Sequence, residues 1–190
     1  MEKLKKRILE QGEIVNASVL KVDGFLNHQI DPQLMKEIGD EIAKHFADKK
    51  IDKVVTIEAS GIAPALFTGL ALNVDVVFAR KGRSLVLNND LYQTPVYSYT
   101  KEKEYSLTIN KNMIKENDNV LFVDDFLANG QSMMAMYDLL KQANATLVGA
   151  GVVIEKSFQA GRERAEEVGI EVHSLARIKK LYSNTIEFED

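Results

Sequence analysis

Apolar residues return at every fourth position through "DPQLMKEIGDEIAKHFADKK", where Leu34, Ile38, Ile42 and Phe46 fall on one side. That spacing predicts an amphipathic helix, with Asp31 as its N-cap and Pro32 at its first position. The pattern then changes. "KVVTIE" at 53–58 is a short β-branched run, "ASG" is a turn of small residues, and "IAPALFTGLAL" reads as a second helix. "VDVVFAR" at 74–80 is another apolar run. Short apolar strands alternating with helical segments predict βαβ units around a mainly parallel sheet.

The segment 81–110 breaks this rhythm. "KGRSLVLNNDLYQTPVYSYTKEKEYSLTI" is polar and has no helical period, while "VYSY" and "YSLTI" alternate like hairpin arms around "TKEKE". A long excursion in a compact domain points to a functional or mobile segment, and we read it as a flap. The alternation then resumes. "VLFVDD" is a strand, 130–143 a helix with Met133, Tyr137 and Leu140 on one face, "TLVGAGVVIE" a strand, "AGRERAEEVG" a helix and "IEVHSLARI" the final strand. The methionine-rich stretch reads as core packing. No repeat, linker or low-complexity segment interrupts the chain, so residues 1–190 are expected to form one α/β domain.

Composition narrows the function classes. With 45% hydrophobic and 27% charged residues, the chain can build a core. Net charge is −4, from 24 basic and 28 acidic side chains, which argues against nucleic acid held through its phosphates. The absence of cysteine excludes disulfides and thiolate metal sites. His28, His45 and His173 lack metal-ligand spacing. "MEKLKKRILEQGEIV" is charged, and no run approaches the ~18 apolar residues of a membrane span. A soluble, cytoplasmic protein is expected, with no membrane or nucleic-acid partner.

The chemistry concentrates in "NVLFVDDFLANGQSMMAMYDLL", residues 119–140. In an open parallel sheet, ligands bind outside the carboxyl ends of the strands. Asp124 and Asp125 stand at such an end. Two adjacent carboxylates repel and are costly to bury unpaired, so they call for a cation or hydroxyl donors; a ribose diol and a bound Mg²⁺ both answer. The loop "ANGQS", Ala128 to Ser132, leads into a helix. Small residues let its backbone N–H groups approach a ligand, and the helix start adds unpaired donors and a positive dipole end. Such a loop holds a phosphate. Acids for a diol next to donors for a phosphate make the layout of a ribose 5-phosphate site. Other motifs fail. Gly149 and Gly151 in "GAGVVI" lie inside a strand, with Ile154 where a third small residue belongs, and signal close packing. Neither GxxxxGK[ST] nor GxSxG occurs.

"VLFVDDFLANGQS" resembles the 5-phosphoribosyl 1-diphosphate (PRPP) signature of type I phosphoribosyltransferases. With "KVDGFLNHQIDPQLMKEIGDEIA", "IEASGIAPA", "VVFARK" and "GVVIEKSFQAGR", nearly the whole chain resembles the bacterial xanthine phosphoribosyltransferases. The resemblance implies the type I phosphoribosyltransferase fold: a twisted, mainly parallel sheet flanked by helices, with a flexible hood formed here by the flap at 81–110. It implies a homodimer that uses PRPP and Mg²⁺ to convert xanthine to its nucleotide in purine salvage. Two other readings stay open: a PRPP-sensing regulator of the same fold, and a transferase for guanine, hypoxanthine or another base. Against the regulator, only about 30 residues precede the Asp31 helix, and no helix-turn-helix pair fits there.

Residue roles follow from the same resemblance. Asp124 and Asp125 would bind the ribose hydroxyls and, through PRPP or water, the metal. Ala128, Asn129, Gly130, Gln131 and Ser132 would bind the 5-phosphate. Ala59, Ser60 and Gly61, in the turn that starts at Glu58, would meet the diphosphate, with Arg80 and Lys81 beside it. Leu20, Asn27, Lys156 and Phe158 would meet the base. An ammonium at Lys156 can donate to an exocyclic oxygen, and Phe158 could stack. Ala128 departs from the related hypoxanthine–guanine enzymes, which resemble "DDxxDTG" and carry a third acid there. An acidic purine reacting as its anion would make a protein base at that place unnecessary.

Overall fold

A computed structural model describes residues 1–82, 90–98, 103–182 and 185–189. The chain begins with α1 (Glu2–Gln11), the hairpin β1 (Glu13–Asn16) and β2 (Val19–Lys21), and a π-helical turn, Asp23–Asn27. There follow α2 (Pro32–His45), β3 (Lys53–Ile57), α3 (Ile62–Leu72), β4 (Asp75–Gly82), β5 (Leu91–Ser98) and β6 (Lys103–Asn110). The chain then continues through β7 (Asn119–Leu127), α4 (Gln131–Gln142), β8 (Thr146–Lys156), α5 (Gly161–Glu167), β9 (Val172–Leu181) and β10 (Ile186–Phe188).

Eight strands form one sheet in the order β10-β9-β8-β7-β3-β4-β6-β5. β9, β8, β7, β3 and β4 run parallel, while β10, β6 and β5 are antiparallel to their neighbours. This is the mainly parallel α/β architecture that the alternation predicts. The order reverses between β3 and β7: β4 lies on one side of β3, and β8 and β9 lie on the other side of β7. A crevice opens at such a reversal.

α2 forms as its sequence dictates. Asp31 accepts from the N–H groups of Gln33 and Leu34 at 3.1 Å, and Leu34, Ile38, Ile42 and Phe46 are all buried. The face they make presses on β8 at its glycines. A methyl group on Gly151 would stand 2.5 Å from Ile42 Cγ2, and one on Gly149 2.5 Å from Phe46 Cε1. The close packing read from "GAGVVI" is therefore helix against strand.

Three features differ from the sequence reading. The first 30 residues carry α1, which buries Leu4 and Ile8, and the β1–β2 hairpin, for which no periodicity argued. The strand read as final is followed by β10, paired antiparallel to β9. β7 runs to Leu127, so Asp124 and Asp125 lie within the strand rather than at its end. Of the flap, the described arms are β5 and β6, paired from Leu91↔Asn110 to Ser98↔Lys103. Its stretches 83–89 and 99–102 lie outside the described residues.

Candidate active site

Asp124 and Asp125 are 7% and 9% exposed, buried for carboxylates. The Asp125 N–H donates to Asp124 Oδ1 at 3.0 Å. Burial, and then the neighbouring Asp125 charge, push the Asp124 carboxyl well above its ordinary range; the Lys81 charge acts in the opposite direction. An acid held this way gains most from a partner that neutralises or hydrogen-bonds it. Asp124 lines a cavity of about 460 Å³.

The same cavity is lined by all of Ala128, Asn129, Gly130, Gln131 and Ser132. Gly130 caps α4 with φ of +78°, a conformation that side chains rarely adopt, and a methyl there would stand 3.0 Å from Gly161 Cα. The Gly161 N–H donates to the Ala128 carbonyl at 2.9 Å, which ties the loop to the start of α5. Among the described residues no side chain caps α4, so its first N–H groups remain for a ligand, an arrangement suited to an anion.

The turn after β3 reaches the acids across the sheet reversal. A methyl on Gly61 would stand 2.7 Å from Asp124 Oδ1 and 2.1 Å from Thr56 Oγ1, so only glycine lets the turn come this close. The Glu58–Ala59 peptide is cis. Ala59, Ser60 and Gly61 follow, but none of the three lines the cavity itself. Glu58 Oε1 accepts from the Lys81 N–H at 2.8 Å, and Arg80 Nε lies 3.9 Å from Glu58 Oε2. Lys81 lines the cavity, whereas Arg80 is exposed outside it.

Lys156, at the end of β8, also lines the cavity. Its ammonium donates to the Ser18 carbonyl at 2.7 Å and stands 5.3 Å from the centre of the Phe126 ring. Burial pushes it below the ordinary lysine range, against the pull of the Asp125 charge. The other residues expected at the base are less centred. Phe158 is 40% exposed and Asn27 is exposed, while Leu20, on β2 of the hairpin, is buried in the core. None of these three, nor Asp125, lines the cavity. Phe158 alone would have been expected in the core; its exposure leaves a free ring face.

Residues the sequence did not single out complete the walls: Ser18 and Val19 from the β1–β2 turn, Tyr97 and Tyr105 from the flap arms, Phe126, and Gln159. Burial and the Asp124 charge raise the Tyr105 hydroxyl above its usual range. Only the two tyrosines carried a signal, through the alternation of the flap. The others arrive by long-range folding.

The donor set fits magnesium, which takes one or two carboxylates together with water and substrate phosphate oxygens rather than a full protein cage. Among the described residues, no three of His, Cys, Asp and Glu gather into a metal site of their own. Two adjoining carboxylates beside a phosphate cradle suit an ion shared with substrate.

Comparison with known proteins agrees with this geometry. The phosphoribosyl transferase domain family matches residues 27–175. The xanthine phosphoribosyltransferase of Oceanobacillus iheyensis is 50% identical over 190 residues, covering 100% of this chain and 98% of that protein. The one from Pseudomonas fluorescens is 54% identical over 188 residues, 99% of each chain. Among solved structures, the adenine phosphoribosyltransferase of Rhodothermus marinus aligns with a TM-score of 0.74 at 21% identity, over 94% of this chain and 100% of that one. The Trypanosoma brucei enzyme, in complex with AMP, pyrophosphate and ribose-5-phosphate, aligns with a TM-score of 0.74 at 20% identity, over 92% and 79%. At such identities these structures speak to the fold. An acid pair, a helix-start cradle and a family match spanning most of the chain lead to one assignment: this chain belongs to the type I phosphoribosyltransferase family.

Proposed function

We propose that the chain transfers the 5-phosphoribosyl group of PRPP to xanthine, giving xanthosine 5′-monophosphate and diphosphate in purine salvage. The observation that carries this reading is one cavity lined at once by Asp124, the 128–132 cradle and Lys156. Relatives named for xanthine, about half identical over their full length, support the choice of base.

The residues divide the work. Asp124, with Asp125 behind it, accepts hydrogen bonds from the two ribose hydroxyls, and their protons satisfy carboxylates that otherwise repel. The amides at the start of α4 hold the 5-phosphate. The turn at Ala59, Ser60 and Gly61, with Lys81 and Arg80, receives the diphosphate as the C1–O bond breaks, stabilising charge on the leaving group. Asp124 and Asp125 would hold magnesium, which would supply positive charge against the charge that develops on the diphosphate. Lys156 donates to an exocyclic oxygen of the purine and holds its nitrogen against C1 for attack. Phe158 and Asn27, exposed outside the cavity, meet the base at its outer edge, and buried Leu20 supports the β1–β2 hairpin from the core. With Ala128 where a third acid would stand, the purine reacts as its anion and no protein base takes its proton. The flap arms carrying Tyr97 and Tyr105 exclude water from the reacting carbon.

The enzyme works as a homodimer in the cytoplasm. α3 supports the first point, since it leaves Leu66 and Leu70 55% and 69% exposed on its outer side. For the second, no helix among the described residues is long and apolar enough to cross a membrane.

A panel of bases with PRPP and Mg²⁺ tests the function, read as nucleotide formed. Turnover of xanthine in preference to guanine, hypoxanthine and adenine is expected. PRPP binding without turnover of any base would instead indicate a sensor, and preference for another base would move the assignment within the family.

A further inference from the structure

The turn from β8 to α5, residues 157–160, holds an acceptor without a donor among the described residues. Gln159 lines the cavity, and its Oε1 is shut off from solvent and has no hydrogen-bond partner among those residues. A buried amide oxygen in that condition is unfavourable and is uncommon in native folds unless a ligand completes it.

The backbone of the turn is clamped at both ends, which keeps Gln159 beside the cavity while its side chain stays able to rotate. Glu155, 1% exposed at the end of β8, receives Arg162 Nε at 2.8 Å and Nη2 at 2.6 Å. Arg162 is the second residue of α5, so this paired contact pins the helix start to the strand end. Ser157 donates to the Ile178 carbonyl through both N–H and Oγ at 2.9 Å. The Gln159 N–H itself donates to the Lys156 carbonyl at 3.0 Å.

The end of β8 and the turn after it thus place two complementary groups beside the cavity: the Lys156 ammonium as donor and, once the side chain rotates toward a ligand, the Gln159 amide oxygen as acceptor. The chemistry that satisfies both is a ring edge carrying a carbonyl oxygen beside an N–H, the lactam edge of an oxopurine. We propose that Gln159 is a specificity-determining residue whose Oε1 accepts a ring N–H of the base while Lys156 donates to the adjacent exocyclic oxygen. The assignment rests on the purine transfer proposed above. It also explains discrimination against an aminopurine such as adenine: its amino group would face the ammonium, and its unprotonated ring nitrogen would face the amide oxygen. Sites built to pair a polar edge reject ligands that leave those groups unpaired.

Gln159→Leu keeps the size and removes the acceptor. Steady-state kinetics should show KM for xanthine raised about fivefold to tenfold, with KM for PRPP unchanged and the melting temperature unchanged or higher. Inhibition by adenine should stay level or strengthen. Gln159→Met, unbranched and of similar length, must give the same split if the leucine variant folds poorly. An unchanged KM for xanthine in a folded variant would overturn the inference, as would a loss that appears in KM for PRPP, which would place the amide at the sugar. Wild-type protein that ignores xanthine altogether would sink the proposed function instead, so the two failures are separable.

Discussion

Asp124 serves binding at the expense of folding. Its carboxyl is raised because burial and Asp125 disfavour the charged form, so the folded chain keeps this proton to higher pH than the unfolded chain does. Stability therefore falls as pH climbs from the ordinary aspartate range through the raised value. Asp124→Asn removes that cost. Calorimetry at pH 8 should find the free variant more stable by a few degrees, since ~1 kcal/mol corresponds to about 2–4 °C at this length. Its kcat/KM for PRPP should drop roughly 10- to 100-fold with the loss of charged acceptance. His173 has the opposite sign. Burial and then the His45 charge hold it down at about 4, against an ordinary 6.5, and the two rings stack 3.8 Å apart. The unfolded chain takes up this proton first, so stability is lost as pH falls from about 6.5 to about 4. His173→Phe keeps a ring on His45 and should flatten that part of a urea-denaturation pH profile, where one proton sets a slope of at most ~1.4 kcal/mol per pH unit. The acid pair was legible in the sequence because a strand signal ran straight into it. The histidine stack was not, since 128 positions separate residues 45 and 173.

At the scale of elements, α2 and β8 are matched surfaces. Phe46 and Ile42 occupy the space that side chains at positions 149 and 151 would need. Gly151→Ala should overpack the contact and destabilise the protein by about 1–3 kcal/mol in urea denaturation. Combined with Ile42→Ala, which removes the clashing Cγ2, the loss should be smaller than the sum of the two single losses; strictly additive effects would show that the contact is not the cause. Both halves of this match were visible separately, one as a period of four and the other as glycines within an apolar strand. That they face each other was not visible, because nothing in a local pattern says which helix covers which strand. Asp31 capping was legible down to the residue, since a cap acts within three positions of itself.

For the whole molecule, the proposed dimer is the level left to test. Leu70 is exposed on α3, where an apolar residue gains only if covered. If α3 is the contact, Leu70→Glu should halve the mass seen by light scattering while leaving the melt of the single chain cooperative. A mass unchanged by the substitution would move the contact elsewhere. By itself, the sequence determined the α/β alternation, the span of each parallel strand to within a few residues, and the acid pair with its small-residue cradle. These are set by neighbours a few positions away, through periodicity, capping and turn chemistry. Only the tertiary structure decided that the turn after β3 lies against Asp124, that the Ser18 carbonyl of the N-terminal hairpin meets Lys156, and that Gln159 looks into the same cavity. Those contacts join residues tens to more than a hundred positions apart. They form where the strand order reverses and where burial, rather than local preference, chooses the partner.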